Sequence, residues 1–429
     1  MEKRIEENKD PLTGLYRGIN IGETLAHLYT NHADPRGEYY LVCMAISSFS
    51  RFNSLCGYRK GDQLLETIGK IIAANYSCGI RVNGDTFLFL TGKNQEFEEN
   101  PAAFLCGAIG EHIGTEYLKI LTLALGISRI RRFEIPGRAV FEEAFTALGY
   151  AKNISPGHQA VFFDKKLRMW EEQKKNIEKN MFRALSNEEF KIYVQPKYAV
   201  AGNDCRSGEA LVRWVSGDLG FIIPEQFIPL FEKNGFIVEI DFFVLTSIFK
   251  TLQRQLRENR RVYPISVNQS RATVAYPGYL ERLQTVMEQY PIPLEYVQLE
   301  ITESAMEGGG PEFLRLLAAL RNMGFSIALD DFGSGYSSLS SLRSLPVDTL
   351  KIDKEFLRES DTSERSRTII KNIVNMSKDL GITVVCEGVE TEDQLLFLAK
   401  IGCDYAQGYY CAKPMPLSEY EGEYLRIPG

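Results

Sequence analysis

The stretch FSIALDDFGSGYSSLSSLRSLPVDTLKID, residues 325–353, decides the fold. It holds two short apolar runs, and each run closes on charged residues: Asp330 with Asp331, and Lys351 with Asp353. Short β-rich runs that close on polar side chains are typical of strands in an α/β protein, where functional groups follow the strand ends. We therefore predict two successive strands whose charged residues lie at the same end.

The same pattern recurs six times outside this stretch. The further runs are FKIYVQP (190–196), EALVRWV (209–215), YPISVNQ (263–269), VQLEITE (297–303), TVVCEGV (383–389) and CDYAQGY (403–409). Helical patterns lie between the runs, at 224–235, 241–258, 311–323 and 363–380. Eight strands that alternate with helices predict a (β/α)8 barrel, the TIM-like architecture, for the C-terminal part of the chain.

The polar residues at the ends of these strands, each of which follows or closes an apolar stretch, are rich in carboxylates. They are Glu209, Asn268, Glu300, Asp330, Asp331, Lys351, Asp353, Glu387 and Gln407. Strand ends of such a barrel converge on one mouth, so these groups should meet there, although each alone could be a helix cap or a solvated loop residue. Gathered carboxylates repel one another unless cations compensate them, and oxygen ligands select Mg²⁺ or Mn²⁺. The pattern predicts a two-metal site, with ions roughly 3.5–4 Å apart, that activates water for displacement at phosphorus.

Histidine usage removes other mechanisms from this part of the chain. The four histidines are His27, His32, His112 and His158. Residues 159–429 contain none, so neither a Ser-His-Asp triad nor an HExxH zinc site can be built there.

Length and pattern predict three segments. The 429 residues exceed one ordinary domain. The charged stretch KKLRMWEEQKKNIEKNM, residues 165–181, has a helical pattern without Gly or Pro. We expect a domain at 1–165, a connecting helix at 166–181 and the barrel at 182–429.

Composition limits the partners and the compartment. The net charge of -7 offers no basic surface for a nucleic-acid polymer. No run of eighteen apolar residues predicts a membrane span, and residues 1–10 have no signal-peptide pattern. The eight cysteines show no CxxC pairing and are predicted to be buried free thiols of a reducing compartment. We expect a cytoplasmic protein.

The ordered motifs of the second part resemble those of the EAL domain of cyclic di-GMP phosphodiesterases, over about residues 180–420. The signature triplet is Glu209-Ala210-Leu211. It is followed by SVNQS (266–270), LEITES (299–304), DDFGSGYSSLSSL (330–342), LPVDTLKID (345–353), CEGVET (386–391), AQGYY (406–410) and AKP (412–414). The triplet alone recurs by chance, whereas the full ordered set is specific.

The resemblance implies a ligand set for two ions, Mg²⁺ or Mn²⁺, in each active site. The first ion would be held by Glu209, Asn268, Glu300 and Asp330. The second would share Asp330 and add Asp331 and Glu387. Lys351 would orient or deprotonate the attacking water, with Glu209 and Asp353 completing the catalytic set; alternatively, Lys351 forms a plain salt bridge with Asp353.

The resemblance also implies substrate contacts and a loop. Gln195, Arg213 and Gln407 would contact cyclic di-GMP, although Arg213 could instead merely stack on the neighbours of Trp214 at the surface. The Gly- and Ser-rich stretch 331–343 would form a mobile loop, anchored by Glu303 and Glu390, that couples metal binding to a homodimer contact of the EAL domain.

The first part of the chain resembles a GGDEF diguanylate cyclase domain, an α/β fold, over about residues 10–165. The resemblance is carried by DPLTGLYR (10–17), AISSFSRFNSLCGYRKGD (45–62) and RVNGDTF (81–87). Ala45, Ser47 and Thr86 stand where acidic residues are usual, so Mg²⁺ has too few ligands and cyclase activity is not expected. Asn53 and Asp62 remain at guanine-contact positions and would bind GTP to regulate the barrel, or else only hold a turn.

Three functions stay open at this point. The first is hydrolysis of cyclic di-GMP to linear pGpG. The second is a receptor that binds the dinucleotide without cutting it, a class that usually lacks metal ligands. The third is an unrelated metal-dependent barrel enzyme, which would show a different set of ligands.

Overall fold

A computed structural model of the chain describes residues 8–47, 49–113, 120–132, 134–154, 157–302, 305, 310–333, 345–360 and 363–425. The chain divides into two compact units, Met1–Gln173 and Lys174–Gly429. The predicted connecting helix lies within a longer helix, α7 in the numbering used below, which runs over Lys165–Ser186. The division between the units therefore falls inside that helix.

The first unit is built on a six-stranded sheet. Its strands are β1 Tyr16–Arg17, β2 Tyr39–Ile46, β3 Ser77–Asn83, β4 Thr86–Gly92, β5 Leu123–Ile130 and β6 Gln159–Phe162, in the order β1-β3-β4-β2-β5-β6. Its helices are α1 Ile21–His32, α2 Phe49–Cys56, α3 Tyr58–Asn75, α4 Gln95–Glu99, α5 Pro101–Ile113 and α6 Arg138–Asn153.

Two separate apolar cores lie against this sheet. Val42 and Phe89 belong to one core, whereas their strand neighbours Leu41 and Leu88 belong to the other. Because successive residues of a strand face opposite sides, helices must cover both faces. This confirms the α/β architecture that was predicted for the first part of the chain.

The second unit is built on ten strands. They are β7 Phe190–Ala199, β8 Asp204–Ser216, β9 Gly220–Ile222, β10 Ile265–Gln269, β11 Val297–Thr302, β12 Ser326–Phe332, β13 Thr349–Ile352, β14 Thr383–Cys386, β15 Tyr405–Ala406 and β16 Met415–Pro416. The helices are α8 Pro224–Asn234, α9 Ile237–Arg257, α10 Arg271–Val274, α11 Tyr279–Gln289, α12 Gly310–Met323, α13 Lys354–Ser360, α14 Glu364–Asp379, α15 Glu392–Ile401 and α16 Leu417–Tyr424, with a 3₁₀ turn at Leu294–Tyr296.

Eight of these strands close into a barrel, in the order β7-β8-β10-β11-β12-β13-β14-β15 and back to β7. All eight correspond to the predicted runs, so the predicted barrel is confirmed. The expectation of strict alternation is wrong at the start, because β7 is antiparallel to both of its neighbours and joins β8 without a helix. Only four residues, 200–203, connect the two strands, too few for the crossover that a parallel pair requires.

All eight cysteines are free thiols, as predicted. The prediction that they are buried is confirmed for six and wrong for Cys56 and Cys411, which are half-buried. Within the described part of the chain, no helix is long and apolar enough to cross a bilayer.

An aromatic cluster packs beneath the first helices of the second unit. Trp214 on β8 is fully buried, and its ring contacts Phe190, Phe227 and Phe231 at centroid distances of 5.0, 5.9 and 6.0 Å. Its indole N–H donates to Glu189 Oε2 at 2.9 Å, so the polar atom of this large side chain is satisfied.

We predict that Trp214→Ala lowers the free energy of unfolding of the barrel unit by about 3–5 kcal/mol, because it opens a cavity in this cluster. The measurement is urea unfolding followed by far-UV circular dichroism. Val215→Ala is the matched control: the neighbouring side chain is 42% exposed, and its loss should change stability by less than about 0.5 kcal/mol. Equal losses in the two variants would contradict this account of the core.

Candidate active site

Three neighbouring strands place charged side chains inside the barrel. Glu300 lies on β11, Asp330 on β12 and Lys351 on β13, and Glu387 directly follows β14. Their exposed fractions are 1% for Glu300, 7% for Asp330 and 1% for Lys351. The parallel pairing of these strands brings residues separated by up to 87 positions into one buried cluster.

Lys351 lies at the centre of this cluster. Its Nζ is within ion-pair distance of four carboxylates: Glu387 Oε1 at 2.7 Å, Glu300 Oε2 at 2.8 Å, Asp330 Oδ1 at 2.9 Å and Glu209 Oε2 at 3.3 Å. A buried ammonium or carboxylate is stable only when it is paired, so each charge here depends on the others. No ion pair joins Lys351 to Asp353 among the described residues, and the alternative of a plain Lys351–Asp353 bridge is therefore wrong.

The pKa values of the cluster follow from this geometry. Burial alone would lower the pKa of Lys351, but the four carboxylates outweigh it and raise that pKa well above its ordinary value. Burial raises the pKa of Asp330 well above its ordinary value, and it also raises the pKa of Glu387. For Glu300, burial is outweighed by Lys197 and Lys351, which lower its pKa to about 2. The cluster has more acidic than basic groups, and burial makes the excess negative charge costly.

A β-bulge turns two adjacent carboxylates toward the same place. In a regular strand Asp330 and Asp331 would face opposite sides of the sheet. The β12–β13 register shifts between Leu329 and Phe332, and Asp331 has a left-handed backbone with φ of 56°. As a result, ligand oxygens of Asp330, Asp331 and Glu387 all lie within 4.8 Å of one another. Bulges re-aim side chains in this way beside active sites.

Glu209 is held by amide side chains. Its Oε1 accepts a hydrogen bond from Asn268 Nδ2 at 2.9 Å, and its Oε2 accepts one from Gln407 Nε2 at 2.7 Å. Gln407 Nε2 also donates to Gln195 Oε1 at 3.1 Å, and Gln195 Nε2 donates to Ala412 O at 3.1 Å. Gln407 Oε1 is buried and has no hydrogen-bond partner among the described residues, which leaves an acceptor free in the site.

The prediction that Glu209 lies at a strand end is wrong, because the residue lies in the middle of β8, Asp204–Ser216. The strand continues past the barrel wall to pair with β9, so its end lies beyond the cluster.

Gly408 allows the chain after Gln407 to pack closely against the Val389 backbone. A Cβ at position 408 would come within 2.2 Å of that backbone, so only glycine permits this approach.

Three other predicted residues, Arg213, Asp353 and Glu390, lie apart from the cluster's contacts. The guanidinium of Arg213 lies 5.7 Å from the Tyr193 ring centre and donates to Val212 O. Asp353 accepts a hydrogen bond from the Glu355 N–H at 2.7 Å, at the start of α13. Glu390 is exposed. Glu303 and the loop residues 334–343 lie outside the described residues.

Sequence reasoning missed two buried charges. Lys197 on β7 is 1% exposed and pairs with Glu300 Oε1 at 2.6 Å; its position two residues after Gln195, on the same strand face, was the available signal. Asp241 on α9 is 7% exposed, and its Oδ2 accepts hydrogen bonds from the Ser270 N–H at 2.8 Å and Thr273 Oγ1 at 2.6 Å. Asp241 thereby fixes the turn that directly follows Asn268.

In the first unit, the positions predicted to lie near a metal ion or a guanine base offer few ligand groups. Ala45 on β2 pairs in register with Thr86 on β4, and both side chains are buried, while Ser47 is exposed. Asn53 Oδ1 is buried without a hydrogen-bond partner, and Asp62 is exposed.

The residues of the second unit fit divalent cations. The donor set consists of carboxylate and amide oxygens, which suits hard ions such as Mg²⁺ and Mn²⁺. Three carboxylates already converge within 4.8 Å, and the unpartnered Gln407 Oε1 adds an acceptor nearby. The cluster therefore has a donor set that suits divalent cations.

Comparisons with known proteins agree with this arrangement. Residues 178–414 match the family model of the EAL domain, and residues 7–156 match the model described as "Diguanylate cyclase, GGDEF domain". The chain is 30% identical over 423 residues to the cyclic di-GMP phosphodiesterase NbdA of Pseudomonas aeruginosa, a match that covers 97% of this chain and 54% of that protein. It is also 30% identical over 433 residues to the cyclic di-GMP phosphodiesterase PdeR of Escherichia coli, covering 99% of this chain and 64% of that protein.

A solved structure is also similar to part of this chain. The structure described as "PaMucR Phosphodiesterase, c-di-GMP complex" is 34% identical, with a TM-score of 0.55, and the match covers 57% of this chain and 99% of that one. The chain spans only about half to two thirds of the length of the two curated relatives named above.

We expect Asp241, which fixes the turn after Asn268, to make the stability of the fold depend on pH. Burial raises the pKa of Asp241 to about 6 from an ordinary value of 3.8. A carboxyl whose pKa is raised by folding stabilises the fold when the pH lies below the ordinary pKa of that carboxyl. This contribution is lost as the pH rises through the folded-state pKa of about 6. Asp241→Asn keeps an acceptor oxygen without the charge, so its stability relative to wild type should rise between pH 4 and 6, by about 3 kcal/mol at most.

The measurement is the urea midpoint of both proteins from pH 4 to pH 7. Asp379→Asn, at an exposed position on α14, is the control and should follow wild type throughout. Parallel curves for Asp241→Asn and wild type would show that Asp241 is not held in this buried state.

Proposed function

We propose that this chain, which belongs to the EAL domain family, hydrolyses cyclic di-GMP to linear pGpG with two Mg²⁺ or Mn²⁺ ions bound at the Lys351 cluster. The observation that carries the proposal is the convergence of Glu209, Glu300, Asp330 and Glu387 on one buried ammonium group. Its further support is the named activity of the relatives NbdA and PdeR. We also propose that residues 1–165 and 182–429 are separate domains joined by the segment 166–181.

In this proposal the six oxygen-bearing residues hold the ions. They are Glu209, Asn268, Glu300, Asp330, Asp331 and Glu387. Bound cations of this kind polarise a phosphate and make a water molecule acidic enough to attack it. The bulge at Asp330 and Asp331 supports the assignment, since it directs both carboxylates toward Glu387.

Lys351 acts on the attacking water. Surrounded by four carboxylates it is a cation at neutral pH, so it donates hydrogen bonds and orients the water. Acting as the base would first require Lys351 to lose contacts to those carboxylates, since they are what keeps its proton bound. Asp353 is proposed to complete the catalytic set from the start of α13, where its carboxylate accepts a hydrogen bond from the Glu355 N–H.

The dinucleotide is bound by Gln195, Arg213 and Gln407. Gln407 offers its unpartnered Oε1 to a donor such as a guanine N–H or a bound water. Arg213 carries the cation closest in sequence to Glu209 on the same face of β8, and its guanidinium would form charge-assisted bonds to a phosphate. Glu303 and Glu390 are proposed to anchor the loop at 331–343, through which the domain would form a homodimer.

The first domain is proposed to be inactive as a cyclase and to regulate its neighbour by binding GTP. Ala45 and Thr86 supply no carboxylate where Mg²⁺ would need one. Asn53, with its unpartnered Oδ1, and the exposed Asp62 are the groups that would contact guanine. A cytoplasmic location fits the eight free thiols.

We predict that wild-type protein with Mg²⁺ or Mn²⁺ converts cyclic di-GMP to the linear product, measured by reversed-phase chromatography, and that EDTA abolishes the reaction. Glu209→Ala should lower turnover by more than about 100-fold, since even groups that only support a metal ligand contribute 10–100-fold. Glu288→Ala, an exposed glutamate on α11, is the control and should keep full activity.

The same experiment separates the enzyme from the receptor. Binding of cyclic di-GMP with no linear product from wild-type protein would identify a receptor and overturn the proposed hydrolysis. A fully active Glu209→Ala variant would overturn the site assignment.

We also predict that GTP binds the full chain and changes its rate of hydrolysis, while no cyclic di-GMP is formed from GTP. Isothermal titration calorimetry with wild-type protein and Asn53→Ala tests the site, because the variant should bind more weakly. The absence of both heat and any rate change in wild-type protein would remove the regulatory role.

A further inference from the structure

Lys197 has no part in the function proposed above, although it is one of the most deeply buried charges in the chain. It lies on β7, faces the barrel interior and is 1% exposed. Its Nζ has two partners among the described residues, Glu300 Oε1 at 2.6 Å and Ser266 Oγ at 2.7 Å. A lysine buried in this way must be held by its partners, because an unpaired ammonium in a protein interior is strongly destabilising.

Glu300 is shared between two lysines that bind different oxygens. Lys197 donates to Oε1 at 2.6 Å, and Lys351 donates to Oε2 at 2.8 Å. The Glu300 side chain is fully buried, so no water replaces a lost contact. Rotation of the carboxylate would break both bonds, and its orientation is therefore fixed from two sides.

The two lysines differ in what else they contact. Lys351 contacts three further carboxylates, so cations that bind those carboxylates must compete with it. Among the described residues, the only polar partner of Lys197 Nζ besides Glu300 is Ser266 Oγ, which in turn donates to Gly208 O at 3.3 Å. Lys197 can therefore keep its contact with Glu300 when the cluster is filled with cations.

The position of Lys197 in the barrel supports this distinction. Lys197 and Ser266 line a cavity of about 240 Å³ whose other walls include Ser326, Thr349 and Thr383. These three residues are the first residues of β12, β13 and β14, so the cavity lies at the barrel end opposite the one toward which those strands run. Lys197 therefore approaches Glu300 from the barrel end at which these parallel strands begin. It contacts Oε1, whereas Lys351 contacts Oε2.

We propose that Lys197 is a positioning residue: it holds Oε1 of Glu300 so that Oε2 alone is presented to the centre of the carboxylate cluster. The inference rests on the proposed function, because it assumes that divalent cations bind at that centre. Partners that orient a metal ligand typically contribute 10–100-fold to metal affinity. Loss of Lys197 should therefore weaken cation binding without removing any ligand.

The test is Mn²⁺ affinity of the full chain, measured from the electron paramagnetic resonance signal of free Mn²⁺. Lys197→Met keeps most of the side-chain volume and should bind Mn²⁺ about 10–100-fold more weakly than wild type. Lys191→Met is the matched control, because Lys191 lies on the same strand and the same side but is exposed; its affinity should equal that of wild type. Lys197→Arg retains a cationic donor and should restore part of the affinity.

Ser266→Ala removes the second partner of Lys197 and should weaken Mn²⁺ binding in the same direction by a smaller factor. If Lys197→Met does not fold, as judged by circular dichroism, this milder variant decides: an unchanged affinity overturns the inference. Wild-type protein that binds no Mn²⁺ would refute the proposed metal site itself. Tight binding by wild type together with equal affinity in Lys197→Met would refute only the positioning role.

Discussion

The ammonium group of Lys351, buried among four carboxylates, is the interaction on which the site depends. Each partner comes from a different strand or strand end, so the cluster exists only when the barrel is closed. In the absence of cations, Lys351 provides the positive charge that allows Glu300 and Asp330 to be buried together. The same arrangement explains why divalent cations would bind there, since the acidic groups outnumber the lysines that compensate them.

The fold provides this cluster through two local irregularities. The first is the antiparallel β7, which adds Gln195 and Lys197 to the barrel interior beside the parallel strands. The second is the bulge at Asp330 and Asp331, which turns two adjacent carboxylates toward Glu387. A non-glycine residue with positive φ carries a backbone cost, and such strain persists where surrounding structure enforces it, often at functional sites.

The sequence predicts the strands well because each barrel strand is a short apolar run that ends near a polar residue, as at Glu300 and Lys351. It does not predict the antiparallel start, because periodicity carries no information on strand direction. Nor does it predict the roles of Asp241 and Lys197: Asp241 is 29 residues from its partner Ser270, and Lys197 is 103 residues from Glu300. Such long-range pairs are set by tertiary packing, whereas motif order identifies residues only within each strand.

The most direct test of the account is a crystal structure of the full chain grown with Mn²⁺, with anomalous scattering used to locate the ions. The account predicts two anomalous peaks within ligand distance of the carboxylates around Asp330, and Lys351 Nζ no longer in contact with all four of its present partners. A map without anomalous density at this position, with the four ion pairs of Lys351 intact at saturating Mn²⁺, would contradict it.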